Sequence, residues 1–207
     1  EMGLDKHDES MVSKGWKIME KNQQKISALV MDMLTFSKER EPDLAPADLN
    51  QVVTDVIELS QMRARDLEVD LLWTPTEGIP TLIFDAEGVH RAILNVVTNA
   101  VDAACETERR GHVDVRTVYL PEEGRARVIV EDNGEGIPPE QMDIIFRPFG
   151  STKKGRGTGL GLPVSQKIIA EHGGRILVDS VPGRGAKFTL DWPAVASDSG
   201  PRTVPLK

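Results

Sequence analysis

Residues 125–138 read Arg125-Ala126-Arg127-Val128-Ile129-Val130-Glu131-Asp132-Asn133-Gly134-Glu135-Gly136-Ile137-Pro138. The first eight alternate or run apolar as a strand does, and the run stops at an acid followed by two spaced glycines. A carboxylate at a strand end accepts a hydrogen bond from an exocyclic amine such as that of adenine, and Gly134 and Gly136 permit backbone conformations and close approach that a Cβ forbids. A tight surface turn uses the same residue types. The stretch therefore needs neighbours before it selects a ligand.

Working outward, residues 112–120 form a strand joined to 125–132 by a turn at 122–124. Upstream, residues 69–74 and 81–84 are short strands around a turn at 75–80. Residues 85–105 form a helix on which Arg91, Asn95, Asn99 and Asp102 share one narrow stripe, with Val89, Ile93, Val96, Val97, Ala100 and Ala104 opposite. A solvent-facing stripe explains this equally well. Asparagine also suits a second purpose, because its neutral amide oxygen ligates Mg²⁺ without adding negative charge beside a triphosphate.

Downstream, Gly155-Arg156-Gly157-Thr158-Gly159-Leu160-Gly161-Leu162 leads into a helix expected over 159–172 and closed by Gly173-Gly174. Free backbone N–H groups at a helix start make an anion site, and Lys153, Lys154 and Arg156 concentrate positive charge there. A flexible loop with solvated charges is the alternative. The spacing does not match G-x-x-x-x-G-K-[ST], and no strand directly precedes it as a dinucleotide fold requires. Residues 175–181 and 186–192 make a final hairpin around Pro182-Gly183.

Before these elements, residues 11–40 contain no Pro and repeat apolar side chains at Val12, Trp16, Met19, Ile26, Leu29, Val30, Met33 and Phe36, the face of a long helix. It lies either on its own domain or in an interchain bundle. Pro42 and Pro46 end it and mark a linker over 41–46. Asp48 is placed to cap a second helix running to about Asp66. The order of helix, two strands, helix, two strands, helix, two strands predicts helices layered on one face of a mixed sheet.

The chain has 207 residues, 39% apolar and 28% charged, the balance of a globular chain with one main core and a modest appendage. No apolar run approaches the roughly 20 residues a bilayer needs. The single cysteine, Cys105, cannot form an internal disulfide or a multi-thiolate metal site, which fits a reducing, cytosolic setting. A net charge of -8 argues against general nucleic-acid affinity, so any phosphate site must be local. The opening Glu1-Met2-Gly3 is expected to be a boundary within a longer protein.

Asn95 and Asn99, the D-x-G-x-G at Asp132, Phe146-Arg147-Pro148-Phe149, and the G-x-G-x-G at Gly157 resemble, in order, the N, first-glycine, F and second-glycine boxes of sensor histidine kinases. The resemblance covers about residues 48–193. Residues 146–162 look most like the nitrogen-regulatory type with its short ATP lid. Thr35-Phe36-Ser37 with Arg40-Glu41-Pro42 resembles the end of that group's second dimerisation helix.

The resemblance implies a Bergerat-type two-layer α/β sandwich of mixed sheet and helices, preceded by a long helix. Residues 1–45 would be dimerisation helix and linker, 46–194 the ATP-binding catalytic domain, and 195–207 a disordered tail. It implies ATP and Mg²⁺ as cofactors. Asp132 would meet the adenine amine, Asn95 and Asn99 would serve Mg²⁺ and the phosphates, and Lys153 would reach the terminal phosphate. Gly157, Gly159 and Gly161 would contact the triphosphate and lid, and Phe146 and Phe149 would seat the lid. Thr189 resembles a hydroxyl supporting the adenine-binding acid through water. Asp102, Gly134, Gly136, Ile137, Thr152, Thr158 and Leu160 complete the nucleotide-binding set.

The implied reaction passes the γ-phosphoryl group of ATP to a histidine on the first dimerisation helix, expected outside these residues, then to a response-regulator aspartate, in a homodimer. None of His7, His90, His112 or His172 has the H-E-x-x-N-P-like context of such an acceptor. His90 is expected in a core or boundary role. An anti-sigma-factor-type serine kinase and a non-catalytic nucleotide-binding module are the competing functions.

Overall fold

The computed structural model describes residues 9–37, 41–107, 109–150 and 158–197. The chain divides into two units, Glu1–Glu39 and Arg40–Lys207. The first contains one helix, α1 (Glu9–Ser37). Val12, Trp16, Met19, Ile26, Val30 and Met33, six of the stripe positions read from the sequence, are exposed on it, as are Met11, Ile18 and Leu34.

In the second unit the elements follow in the order β1 (Ala45–Ala47), α2 (Leu49–Asp66), β2 (Val69–Thr74), β3 (Leu82–Phe84), α3 (Ala86–Ala104), β4 (Gly111–Leu120) and β5 (Arg125–Asp132). Then come α4 (Gly161–Glu171), β6 (Arg175–Val181), β7 (Gly185–Pro193) and β8 (Val195–Ala196). The main sheet has the order β2-β4-β5-β7-β6. β2 runs parallel to β4 and the other pairs are antiparallel, so the sheet is mixed as expected.

Alternation along the strands decides which face is covered. Val113, Val115 and Thr117 of β4, Ala126, Val128 and Val130 of β5, and Phe188, Leu190 and Trp192 of β7 are buried. They form one core with Val53, Val56, Ile93, Val96 and Val97 of α2 and α3 and with Val164 and Ile169 of α4. Each such side chain contributes about 1.5–3 kcal/mol on burial, so a charge at Val97 or Leu190 would break this layer first. Phe84 and Trp192 close the core end with ring centroids 6.2 Å apart. The outer sheet face is mixed, with Ile129 and Leu177 on it beside charged residues. There Asp191 is enclosed by Arg125 and Arg127, with Nε to Oδ1 distances of 2.9 and 3.1 Å.

Several boundaries differ from expectation. The linker is not free chain throughout: Ala45–Ala47 pairs antiparallel with β3, Ala45 opposite Phe84 and Pro46 opposite Ile83. β1 is an edge strand of the sheet β1-β3-β8, a place where a residue lacking an N–H is tolerated. Residues 75–80 do not fold β2 and β3 into a hairpin, since the two lie in different sheets. Val195 and Ala196, expected as tail, pair with Ile83 and Leu82. The domain thus begins and ends on β3, the strand that feeds α3. The rest of the tail from residue 198, and residues 38–40, lie outside the described residues.

Candidate nucleotide site

α3 is fixed at its start. Asp85 Oδ1 accepts the Gly88 N–H at 2.9 Å as its N-cap, and the Asp85 N–H donates to His172 Nε2 at 3.0 Å. His172 Nδ1 lies 2.8 Å from the Ile168 carbonyl, so Nδ1 carries the proton and Nε2 accepts. Both nitrogens of this histidine are spent joining the end of α4 to the start of α3.

The polar stripe of α3 then splits by task. Asn95 Nδ2 donates to the Gly161 carbonyl at 3.1 Å and to Ser165 Oγ at 3.3 Å, 66 and 70 positions away in sequence. Ser165 is fully buried, its Oγ 3.1 Å from the Ala92 carbonyl. Asn95 is therefore a brace between α3 and the first turn of α4, its side chain lying against Gly161. Asn99, one turn later, is exposed. Asp102 is held by Arg63 of α2, whose Nη2 lies 2.6 Å from Oδ1. His90 sits half-buried at the helix boundary, as expected.

Asp132 ends β5 with 6% of its surface exposed, and its Oδ1 accepts the Gly134 N–H at 2.8 Å. Asn133 closes the turn, accepting the His112 N–H at 2.8 Å and donating to the Arg110 carbonyl at 2.9 Å. The two glycines are demanded by the protein itself. A Cβ on Gly134 would come within 2.7 Å of Asp132 Oδ1 and 2.9 Å of the Ala103 backbone, and Gly136, at φ +71°, would drive one into the Val181 carbonyl. The Ile137 N–H donates to Ser180 Oγ at 2.9 Å, and Ser180 Oγ donates to the Gly185 carbonyl at 2.7 Å. Ser180 and Gly185 escaped the sequence reading. A lone serine in a strand carries no signal, and the need for glycine at 185 arises only because its φ of +99° brings it against the Asp132 carbonyl.

Phe146 packs against the core, whereas Phe149 is 65% exposed at φ +61°. The Phe149 N–H donates to the Gly159 carbonyl at 3.0 Å, pinning together the two ends of the segment between them. Thr158 Oγ1 accepts the Leu160 N–H at 3.2 Å, and Leu160 is buried. Thr152, Lys153 and Gly157 lie outside the described residues.

The expectation for Thr189 is overturned. Its register partner is Ile129, three residues before Asp132 on β5, so the pleat turns it to the outer face while Asp132 faces the helices. It cannot support that acid.

Along α3, then, the second glycine motif meets Asn95 at Gly161, and the first meets Ala103 at Gly134, two turns further on. A cleft of about 870 Å³ lies elsewhere, lined by Gln61, Arg65, Leu72, Cys105 and Arg109 among others, and holds none of Asn95, Asn99 or Asp132. The described residues contain no group of three or more His, Cys, Asp or Glu able to hold a metal. No helix among them is long and apolar enough to cross a membrane.

Residues 84–196 match the family described as histidine kinase-, DNA gyrase B-, and HSP90-like ATPase. The sensor histidine kinase ZraS of Salmonella typhi is 36% identical over 182 residues, covering 87% of this chain and 38% of that protein. The sensory histidine kinase/phosphatase NtrB of Vibrio alginolyticus is 35% identical over 155 residues, covering 70% of this chain and 43% of that protein. The chain spans less than half the length of these relatives. Among solved structures, full-length ShkA in complex with AMPPNP superposes with a TM-score of 0.77 at 28% identity, covering 88% of this chain and 39% of that one. Histidine kinase ThkA in complex with the response regulator protein TrrA gives 0.70 at 27% identity, covering 93% and 55%.

Proposed function

Because the chain belongs to the family of histidine kinase-, DNA gyrase B- and HSP90-like ATPases, with a histidine kinase ATP-binding domain as its second unit, we propose that it supplies the phosphoryl-donor half of a two-component sensor histidine kinase. The observation that carries this is the convergence of both glycine motifs on one helix, Gly161 at Asn95 and Gly134 at Ala103 beside Asp132. A carboxylate suited to an exocyclic amine thus lies beside the last turn of α3, and a helix N-terminus suited to phosphates lies beside its middle.

In this reading Asp132 accepts from the adenine amine, while Gly134, Gly136 and Ile137 form the backbone wall beside it. Thr158, Gly159, Leu160 and Gly161 form the turn that lines the phosphates as α4 begins. Thr152, Lys153 and Gly157, with Phe149, are the remaining residues assigned to nucleotide binding. Asn99 and Asn95 would hold Mg²⁺ through their neutral amide oxygens. This donor set fits an ion that keeps several waters and takes its remaining oxygens from phosphate. When bound, Mg²⁺ neutralises charge on the transferring phosphoryl group. The residues of the chain do the positioning: Asn95 ties the phosphate-binding turn to α3, and the buried wall around Asp132 excludes water from the base.

The acceptor in this reading is a histidine on the first dimerisation helix. His112 is paired with Asp114 at 2.6 Å, both nitrogens of His172 are engaged and His90 is half-buried, so these three are poorly placed as nucleophiles. α1 is the second helix of a homodimeric bundle. Phosphate then passes to a response-regulator aspartate, as the partner of ThkA suggests, and the setting is the cytosol. The test supplies γ-labelled ATP, Mg²⁺, this chain and a separate acceptor domain. The expected product is acid-labile and base-stable, as phosphohistidine is. An acid-stable, base-labile product would mean a serine kinase, and no transfer with intact ATP binding would mean a non-catalytic module.

A further inference from the structure

Arg63 belongs to none of the nucleotide motifs, yet its guanidinium donates twice to Asp102 Oδ1, from Nε at 2.9 Å and from Nη2 at 2.6 Å. The two side chains retain 51% and 26% of their accessible surface. At such exposure an ion pair adds little to folding stability, so stability alone does not explain a geometry this close. The place of Asp102 does. It follows Asn99 by three residues on the same stripe of α3, which makes the two side chains neighbours about 5–6 Å apart at Cβ. It also directly precedes Ala103, the residue against which Gly134 packs beside Asp132.

A carboxylate therefore stands beside the amine-binding end of the groove, one helical turn from Asn99. An uncompensated negative charge there would oppose a triphosphate. Asp102 was expected among the nucleotide contacts, and its engagement by Arg63 suggests a different part. Resting on the ATP-binding reading above, we propose that Arg63 is a nucleotide-positioning residue: it neutralises Asp102 so that the groove accepts a polyphosphate chain. The effect acts through charge, so it scales with the number of phosphates and vanishes for adenosine.

Calorimetric titration of adenosine, Mg-ADP and Mg-ATP into the wild-type chain, Arg63→Gln, Arg63→Lys and the double variant Arg63→Gln/Asp102→Asn tests this. With effective dielectric constants between those of a protein surface and water, exposing one carboxylate at such a distance weakens Mg-ATP about 3- to 30-fold. Arg63→Gln should show that loss, a smaller one for Mg-ADP and none for adenosine. Arg63→Lys should keep most of the affinity, and the double variant should recover what Arg63→Gln lost.

Equal affinities for wild type and Arg63→Gln would overturn the proposal. So would a loss that persists in the double variant, which would mean that Arg63 touches phosphate itself. A loss as large for adenosine as for Mg-ATP would assign Arg63 a merely structural role. If the wild-type chain binds no Mg-ATP at all, the ATP reading fails first and the proposal with it. Wild-type binding combined with an indifferent Arg63→Gln sinks the proposal alone.

Discussion

Asp191 offers a sharp test of how the sheet is held, because it is a carboxylate whose side chain is only 1% accessible on the outer face of the sheet. Arg125 grips it with Nε at 2.9 Å from Oδ1 and Nη2 at 2.7 Å from Oδ2, and Arg127 adds Nε at 3.1 Å from Oδ1. Burial is the largest single influence on this carboxyl and pushes its pKa up. The hydrogen bonds from Arg125 and Arg127, with their positive charge, together outweigh it and hold the group below its ordinary value of 3.8. The same contact, chiefly the hydrogen bond to Asp191, raises the pKa of Arg125.

A carboxyl whose pKa is lower folded than unfolded adds stability above the unfolded value and loses it as pH falls through the folded value. Three charge-assisted bonds at about 1.5–3 kcal/mol each set an upper bound for Asp191→Asn. Arg125 and Arg127 keep 25% and 33% of their side-chain surface and rehydrate when released. The net loss is therefore about 2–4 kcal/mol at neutral pH. For a domain of this size each kcal/mol lowers the melting temperature by roughly 2–4 °C. Urea unfolding followed by circular dichroism at pH 7 and at steps below pH 4 reads both predictions. The gap between wild type and variant should be full at pH 7 and shrink as pH falls below about 3.8, the ordinary carboxyl value. A gap under about 0.5 kcal/mol at pH 7, or one independent of pH, would refute this reasoning.

Gly136→Ala should destabilise by about 2–4 kcal/mol, because a Cβ there meets the Val181 carbonyl at a φ of +71°, and thermal melts would show it. Asn95→Ala should lose about 1–2 kcal/mol of stability along with ATP affinity, since it breaks the brace to Gly161 and Ser165. Asn99→Ala should stay within about 0.5 kcal/mol of wild type in stability while losing at least about tenfold in Mg²⁺-dependent ATP affinity. Parallel melts and titrations would separate the two asparagines.

Much of the sandwich was legible because its long elements carry their own periodicity. The apolar face of α3, the alternation of β4 and β5, and the Asp48 cap of α2 are local properties, and each landed where the sequence put it. β1 and β8 were missed because strands of three and two residues carry no period, and Pro46 in β1 reads as a breaker unless its edge position is known. Thr189 was assigned to the wrong face for a related reason. Its orientation depends on the register of β7 against β5, which the chain reveals only when folded. The brace formed by Asn95 and the demand for glycine at 185 likewise arise from contacts between residues distant in sequence.

The central claim is that this chain binds ATP with Asp132 reading the base. Isothermal titration of Mg-ATP into the wild-type chain and Asp132→Asn measures it directly. The amide keeps the shape of the side chain but forfeits a charge-assisted hydrogen bond of about 1.5–3 kcal/mol, so affinity should fall about 10- to 150-fold while the melting temperature changes little. Undiminished affinity in Asp132→Asn, or no heat of binding in the wild-type chain at millimolar Mg-ATP, would contradict the account.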